Sequence, residues 1–243
     1  HYYGIPDTVN YENIPWRSAR FDPEQLTMAV ATKARAENIL TEYRRLAGNR
    51  TLAFCCSVTH ADFMAQYFND CGIVAVAVHS APSSALRAKS LDDLAAGTVR
   101  VVFAVDILNE GVDIPNVDTV MLLRPTESSI LWTQQVGRGL RRAEGKDYLT
   151  IIDYIGNHKS FLNKVRSALQ IGADVDEIRS ALKNIRSGDL DLPPGCEMTY
   201  QLEAIDILES LLPVAKANAL HWYYQDYKDR MGSRPTAAET LHD

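Results

Sequence analysis

The chain has 243 residues, of which 46% are hydrophobic and 23% charged, and its formal net charge is −6. These values are ordinary for a soluble globular protein, and they allow one well-packed domain with an appendage. The sequence contains neither an apolar run long enough to span a bilayer nor a signal-peptide pattern, which argues against a membrane partner. The negative charge argues against bulk attraction to nucleic acid but leaves room for a local basic site.

The first residues of the chain carry the signals of an irregular segment followed by a helix. Residues 1–24 are expected to be irregular because prolines interrupt them repeatedly. Asp22 is a candidate N-cap and Pro23 stands at the first helical position, so a helix should run to about Ala47 and end at Gly48. The chain begins with histidine, so we expect it to be an excised piece of a longer protein.

Strands and helices alternate through the middle of the chain. The predicted strands are Thr51 to Cys56, Ile73 to Val78, Val99 to Val105, Thr119 to Leu123 and Leu149 to Tyr154. A short loop at 57–60 follows the first strand, and the predicted helices are Ala61 to Asn69, Ser84 to Ala95, Ser128 to Arg142 and Gly156 to Leu169. This alternation predicts an α/β fold with a parallel doubly wound sheet, whose ligands bind beyond the carboxyl ends of the strands.

The strand signal stops at about residue 171, and the remainder is predicted to be helical. Helices are expected over Ala173 to Ile185, Glu203 to Ala217 and about Leu220 to Met231, with a polar, proline-rich joint at 187–195. We therefore divide the chain into a lead-in segment (1–24), a central domain (25–170) and a helical C-terminal appendage (171–243).

The segment 134–142 combines an amide, glycines and arginines in a pattern that suits an anionic ligand. On a helix, Gln134, Arg138 and Arg141 stand at i, i+4 and i+7 and so share one face. Gly137 and Gly139 remove bulk beside the arginines at a cost of roughly 1 kcal/mol each in a helix. Because a guanidinium stays charged and forks onto phosphate oxygens, the pattern indicates a phosphate-binding helix. The alternative is a basic helix face exposed to solvent.

This arginine helix follows a second recognisable pattern, and together the two patterns identify a family. Val105 and Asp106, continued by Gly111 to Pro115, resemble motif V of superfamily 2 helicases and translocases. Gln134, Gly137, Arg138 and Arg141 match their motif VI, Q-x-x-G-R-x-x-R. Residues 1–170 thus resemble the second RecA-like lobe of DEAD/DEAH-like bacterial-type helicases that carry a further C-terminal region.

The resemblance implies how the chain would act on ATP. Arg141 would be the arginine finger on the γ-phosphate, with Arg138 beside it and Gln134 stabilising or sensing that arrangement. Gly111, Asp113 and Gly137 would complete the nucleotide contacts. For Asp113, a turn-capping acid before proline is the alternative. The chain has neither a phosphate-binding loop nor an acidic box, so the Mg²⁺ ligands are expected on the missing N-terminal lobe and this piece alone should not hydrolyse ATP.

The same resemblance implies a nucleic-acid partner bound mainly through its phosphates. Ser57, Thr59 and His60 resemble the motif IV loop, His79 and Ser80 follow the next strand, and Asn109 lies in motif V. The form Q-x-x-G-R-G-L-R resembles restriction-enzyme Res subunits and excision-repair helicases, so DNA is the expected nucleic acid. For the histidines, a structural hydrogen-bonding role is the alternative, and Trp132 is expected to lie in the core.

Two other functions stay open on the sequence. The chain could come from a non-hydrolysing nucleic-acid-binding or regulatory module of the same fold. It could also come from an unrelated Rossmann-like nucleotide or sugar-nucleotide enzyme, although no G-x-G-x-x-G follows any strand. The four cysteines form no C-x-x-C pair, which argues against a zinc site and favours the reducing cytosol.

Overall fold

The structure is a computed structural model that describes residues 1–79, 84–105, 116–125, 129–137, 139–140, 143, 145–213, 224 and 227–228. The strands are β1 (Tyr2–Pro6), β2 (Trp16–Arg17), β3 (Arg20–Phe21), β4 (Thr51–Phe54), β5 (Ala75–Val78), β6 (Val101–Ala104), β7 (Thr119–Leu122), β8 (Thr150–Ile155) and β9 (Met198–Tyr200). The helices are α1 (Pro23–Val30), α2 (Lys33–Leu46), α3 (Val58–Asp70), α4 (Ser84–Ala96), α5 (Ser129–Gly137), α6 (Leu162–Leu169), α7 (Val175–Ser187) and α8 (Leu202–Ser210). Among these described helices, none combines the length and apolarity needed to cross a membrane.

Seven strands form one parallel sheet in the order β5-β6-β4-β7-β8-β1-β9. The central strands are almost wholly apolar and buried, as strands covered on both faces should be. Two hydrophobic clusters occupy the two faces. One cluster joins the sheet to α2 and α3, and the other joins it to α1 and α4–α8. The predicted parallel doubly wound α/β sheet is confirmed.

Two strands of the main sheet, β1 and β9, are not predicted by the sequence analysis. β1 lies between β8 and β9, pairing Tyr3 with Ile152 on one side and with Thr199 on the other. Residues 1–24 are therefore not irregular throughout, and the segment after residue 171 is not purely helical. The predicted helices of the tail correspond to α7 and α8, and the one expected over 220–231 lies largely outside the described residues. The division of the chain at residues 24 and 170 stays a prediction.

Polar side chains buried between sheet and helix hold β1 in place. The Tyr2 hydroxyl donates to the Asp153 carboxylate on β8 at 2.8 Å. Lys164 on α6 pairs with the same carboxylate and donates to the Tyr154 carbonyl at 2.9 Å. Lys164 and Asp153 are both fully buried, so this ion pair lies inside the core and not at the surface.

The helix predicted from Pro23 to Ala47 is two helices. The first part of that prediction is confirmed, since the Asp22 carboxylate accepts the Gln25 N–H at 2.9 Å and Pro23 begins α1. The chain then turns at Ala31, and the Thr32 hydroxyl caps α2 by accepting from the Arg35 N–H. A threonine can stop one helix and start the next because its hydroxyl competes for backbone donors.

Candidate functional site

Because the main sheet is parallel, the segments that follow its strands meet at one edge. These segments begin at Cys55 after β4, His79 after β5, Leu123 after β7, Gly156 after β8 and Asp7 after β1. In open α/β sheets, ligands bind outside this carboxyl edge. We call this region the carboxyl edge, and among the described site residues it contains Ser57, Thr59 and His79.

The residues expected to form the motif IV loop begin a helix instead. Ser57 is the N-cap of α3, and its hydroxyl accepts the His60 N–H at 3.2 Å and the Thr27 hydroxyl at 2.9 Å. Thr59 is exposed in the first turn of α3. The prediction of a loop at 57–60 is therefore wrong beyond Ser57, whereas Ser57 and Thr59 do lie at the carboxyl edge.

His60 is fully buried, with no exposed side-chain area. Its Nε2 lies 3.3 Å from an Arg35 guanidinium nitrogen, and its Nδ1 lies 3.5 Å from the Cys56 sulfur. Since arginine can only donate, Nε2 accepts from Arg35, while Nδ1 lies within 3.4 Å of the Cys56 backbone N–H as well as close to the Cys56 sulfur. Burial, followed by the charge of Arg35, lowers the pKa of His60 to about 3. The predicted nucleic-acid contact of His60 is therefore contradicted, because a buried neutral ring cannot reach a ligand.

The partner of His60 belongs to a buried charge cluster that the sequence analysis misses. The Arg35 guanidinium donates to the Asp7 carboxylate from Nε at 3.0 Å and from Nη2 at 2.8 Å, and to the Leu123 carbonyl at 3.0 Å. The Tyr11 hydroxyl donates to Asp7 at 2.7 Å. Burial opposes ionisation, but the Arg35 charge and these hydrogen bonds hold the pKa of Asp7 below its ordinary value. The cluster ties together the segments that follow β1 and β7 and the start of α2.

One signal for this cluster is visible in the sequence. Arg35 stands on α2 at i relative to Ile39 and Tyr43 at i+4 and i+8, so a charged residue occupies the apolar face. A charge on a buried face needs a partner of opposite sign. The sequence alone does not identify Asp7 as that partner, because 28 residues separate the two.

His79 lies at the carboxyl edge but is turned toward α3. Its side chain is 15% exposed, and its Nε2 lies 3.7 Å from the Asp62 carboxylate. Ser80, Asn109, Gly111 and Asp113 lie outside the described residues. Along the chain, β6 precedes the motif V segment and β7 follows it, and in the sheet both strands pair with β4.

The arginine helix is shorter than predicted. α5 ends at Gly137, and the next described residues form tight turns in which the Gly139 N–H donates to the Val136 carbonyl at 2.9 Å. A continuous helix to Arg142 is therefore wrong, because Gly139 and Leu140 lie outside α5. Gln134 is exposed on α5, and Arg138 and Arg141 lie outside the described residues.

The two glycines of this segment play different roles. A Cβ on Gly139 would lie 2.5 Å from a Leu149 methyl and 3.1 Å from Val120, so this position needs glycine to pack on the core. A Cβ on Gly137 would meet nothing within 4 Å, so the packing of the described residues does not require glycine there. Trp132 is buried in the core, as expected.

Comparison with known proteins gives evidence that is independent of the geometry of this site. Residues 33–143 match the model of the helicase conserved C-terminal domain. The chain is 32% identical over 162 residues to the Saccharomyces cerevisiae protein named "Putative ATP-dependent helicase IRC3", covering 65% of this chain and 23% of that protein. It is 24% identical over 220 residues to the UvrABC system protein B of Symbiobacterium thermophilum, covering 88% of this chain and 31% of that protein.

Among solved structures, the yeast DEAD-box splicing factor Prp28 shares the fold at a TM-score of 0.54 and 16% identity. That match covers 89% of this chain and 38% of the Prp28 chain. The chain thus spans less than a third of the length of the two sequence relatives and less than half of this structural one.

Proposed function

We propose that this chain, whose residues 33–143 match the helicase conserved C-terminal domain, is the second motor lobe of an ATP-dependent DNA helicase or translocase of superfamily 2. The observation that carries the proposal is the order β6, motif V segment, β7 and α5, with Gln134 exposed near the end of α5. Ligands of such a sheet meet the carboxyl edge, from which the motif V segment departs.

In this proposal, the N-terminal lobe of the same polypeptide binds ATP and Mg²⁺, and this lobe completes the site. Arg141 approaches the γ-phosphate as the arginine finger, with Arg138 and Gln134 beside it and Gly111, Asp113 and Gly137 shaping the cleft. A guanidinium fork stabilises the charge on the equatorial oxygens of the transition state, and such fingers contribute roughly 10³–10⁵ in rate. Hydrolysis would then open and close the two lobes.

Nucleic acid would lie across the carboxyl edge and be held through its phosphates. The proposed contacts are Ser57, Thr59, His79, Ser80 and Asn109. His60 is left out of this set because its ring is buried. Hydroxyls and backbone amides suit this task in a chain of net charge −6, because they contact phosphate without being basic. The form of motif VI, which resembles restriction-enzyme Res subunits and excision-repair helicases, supports DNA. We also place the protein in the cytosol, which its four free thiols support.

The test is ATP hydrolysis by the parent protein that includes the N-terminal lobe, with duplex DNA, single-stranded DNA, RNA or no nucleic acid. Arg141→Ala should lower the stimulated kcat by about 10³ or more while nucleotide binding is largely kept. Arg142→Ala removes the same charge one residue away and outside the motif, so it should leave kcat within a few-fold of the wild-type value.

Each alternative outcome identifies a different error. Equal kcat values for wild type and Arg141→Ala would refute the finger assignment. Stimulation by RNA alone would replace DNA with RNA as the partner. A parent that binds nucleic acid but never hydrolyses ATP would favour the non-hydrolysing binding module.

A further inference from the structure

One buried guanidinium, that of Arg35, spans the carboxyl ends of four neighbouring strands, which lie in the order β4-β7-β8-β1 in the sheet. Its Nη1 lies 3.3 Å from His60 Nε2 at the start of the helix after β4, and its Nη2 donates at 3.0 Å to the Leu123 carbonyl after β7. Its central carbon lies 5.7 Å from the ring centroid of Tyr154 on β8, and its Nη2 donates at 2.8 Å to the Asp7 carboxylate after β1. A single side chain therefore contacts all four strand ends.

The carboxylate that holds Arg35 accepts hydrogen bonds on both of its oxygens. Asp7 Oδ1 accepts from the Arg35 Nε at 3.0 Å and from the Val9 N–H at 3.2 Å. Asp7 Oδ2 accepts from the Arg35 Nη2 at 2.8 Å and from the Tyr11 hydroxyl at 2.7 Å. Because a buried polar network with every member paired is rigid, the guanidinium is fixed relative to the segment after β1.

Filling the core does not by itself require an arginine at this position. The face of α2 that carries Arg35 is otherwise apolar, with Ile39 and Tyr43 buried on it. Replacing a buried ion pair by apolar side chains of similar volume is often neutral or stabilising. What the guanidinium adds is geometry, because its planar fork of donors matches a carboxylate and a carbonyl only in a narrow range of orientations.

The strand ends that Arg35 contacts lead into the segments that carry the proposed site. The helix after β4, α3, has Ser57 as its N-cap and Thr59 in its first turn. From Leu123 the chain continues to α5, on which Gln134 is exposed. The segment after β1 belongs to the lead-in that precedes the match to the helicase domain at residues 33–143. A shift of Arg35 would therefore change how the lead-in sits against both proposed contact regions.

We propose that Arg35, paired with Asp7, is a positioning residue for ATP hydrolysis, which sets the exit of β7 toward α5 and the start of α3 against the lead-in segment. This inference rests on the proposed function. Arg35 is 1% exposed, so it acts through the Leu123 main chain and through His60 and does not touch a ligand. A misplacement of about 1 Å caused far from the chemistry can cost about 10²-fold in rate, so a buried pair is able to control kcat.

The experiment measures ATP hydrolysis by the parent protein that includes the N-terminal lobe, with and without DNA, in the variant Asp7→Asn/Arg35→Met. This variant leaves neither partner charged, and far-UV circular dichroism measures its folded fraction at the assay temperature. We expect kcat per folded molecule to fall by about 10- to 100-fold. The KM for ATP should stay within a few-fold of the wild-type value, because the other lobe supplies the phosphate-binding loop. A role confined to folding would lower the folded fraction and leave kcat per folded molecule unchanged.

The matched control is Arg45→Met, which removes an exposed arginine from the same helix and should keep both kinetic constants. If the double variant does not fold, Arg35→Lys decides, since lysine keeps the charge beside Asp7 but lacks the planar fork. Its kcat per folded molecule should fall at least about three-fold. A wild-type kcat in Arg35→Lys would then overturn the inference.

The remaining outcomes separate this inference from the function on which it rests. Equal kcat values for wild type and the folded double variant would overturn the inference and leave the proposed function standing. A raised KM for ATP with unchanged kcat would overturn it in favour of a role in nucleotide binding. A wild-type parent that never hydrolyses ATP would overturn the proposed motor function and the inference with it.

Discussion

Replacing Arg35 by methionine tests whether the buried charge cluster holds the carboxyl edge together. Arg35 is 1% exposed and donates to the Asp7 carboxylate and the Leu123 carbonyl at 2.8–3.0 Å, and to His60 Nε2 at 3.3 Å. Methionine fills similar volume but leaves the Asp7 carboxylate buried with only the Tyr11 hydroxyl and the Val9 N–H as donors. Removing one partner of a buried pair costs about 3–5 kcal/mol, so we expect Arg35→Met to lower the free energy of unfolding by that amount.

The same substitution should also change how the free energy of unfolding depends on pH. The pKa of Asp7 is held below its ordinary value in the folded chain, so its contribution is present above the unfolded pKa of about 3.9 and is lost as pH falls through the folded pKa. In Arg35→Met the carboxyl loses its guanidinium, and burial then raises its pKa. The variant can relieve the buried charge by protonation, so the deficit in unfolding free energy relative to wild type should shrink as the pH falls below neutral.

The assay is urea unfolding followed by far-UV circular dichroism, at neutral and at mildly acidic pH. Arg45→Met is the matched control, because Arg45 lies on the same helix in an ion pair with Glu42 and is 52% exposed. Its loss should cost within about 1 kcal/mol. The double variant Asp7→Asn/Arg35→Met should cost less than the sum of its parts, since no charge is left unpaired. An Arg35→Met cost at neutral pH that is no larger than that of Arg45→Met would refute the reasoning.

Two further predictions concern packing and protonation. Gly4→Ala should lower the unfolding free energy by about 1–3 kcal/mol, because its Cβ would lie 2.1 Å from a Tyr200 ring carbon. Gly137→Ala, where a Cβ meets nothing within 4 Å, should be neutral or slightly stabilising, and equal losses in the two variants would contradict the packing argument. The pKa of His60 is lowered from 6.5 to about 3, so its contribution is complete above pH 6.5 and falls as the pH drops toward 3. His60→Gln should remove that part of the acid sensitivity, at most about 1.4 kcal/mol per pH unit, and parallel stability curves for both proteins would exclude it.

Several features of the fold follow from short stretches of sequence. Apolar runs such as 101–104 and 119–122 form buried strands in place, and Asp22 with Pro23 begins a helix as expected. Each of these signals depends on residues a few positions apart, so it can be recognised without knowledge of the tertiary contacts. The resemblance of motifs V and VI to a helicase lobe is likewise carried by local residue identity, and the match of residues 33–143 agrees with it.

The errors in the candidate site have a common cause. The sequence analysis assigns His60 to a ligand surface because it follows a strand, whereas its ring is buried. It assigns Gly139 to the removal of bulk beside the arginines, whereas this glycine is needed for packing against Leu149. Neither the burial of the histidine ring nor the contact with Leu149 can be read from neighbouring residues. Both depend on which element lies opposite, and that is fixed only when the sheet assembles.

The sequence by itself therefore determined the alternation of strands and helices, the helix starts and the family patterns, because these depend on side chains within one or two turns of each other. The tertiary structure decided the rest. β1 contains Gly4 and Pro6 and β9 has three residues, so neither has a strong strand signal, yet pairing across nearly 200 residues makes them neighbours in the sheet. The Asp7–Arg35 pair and the Lys164–Asp153 pair arise in the same way, since tertiary packing determines which charges are buried.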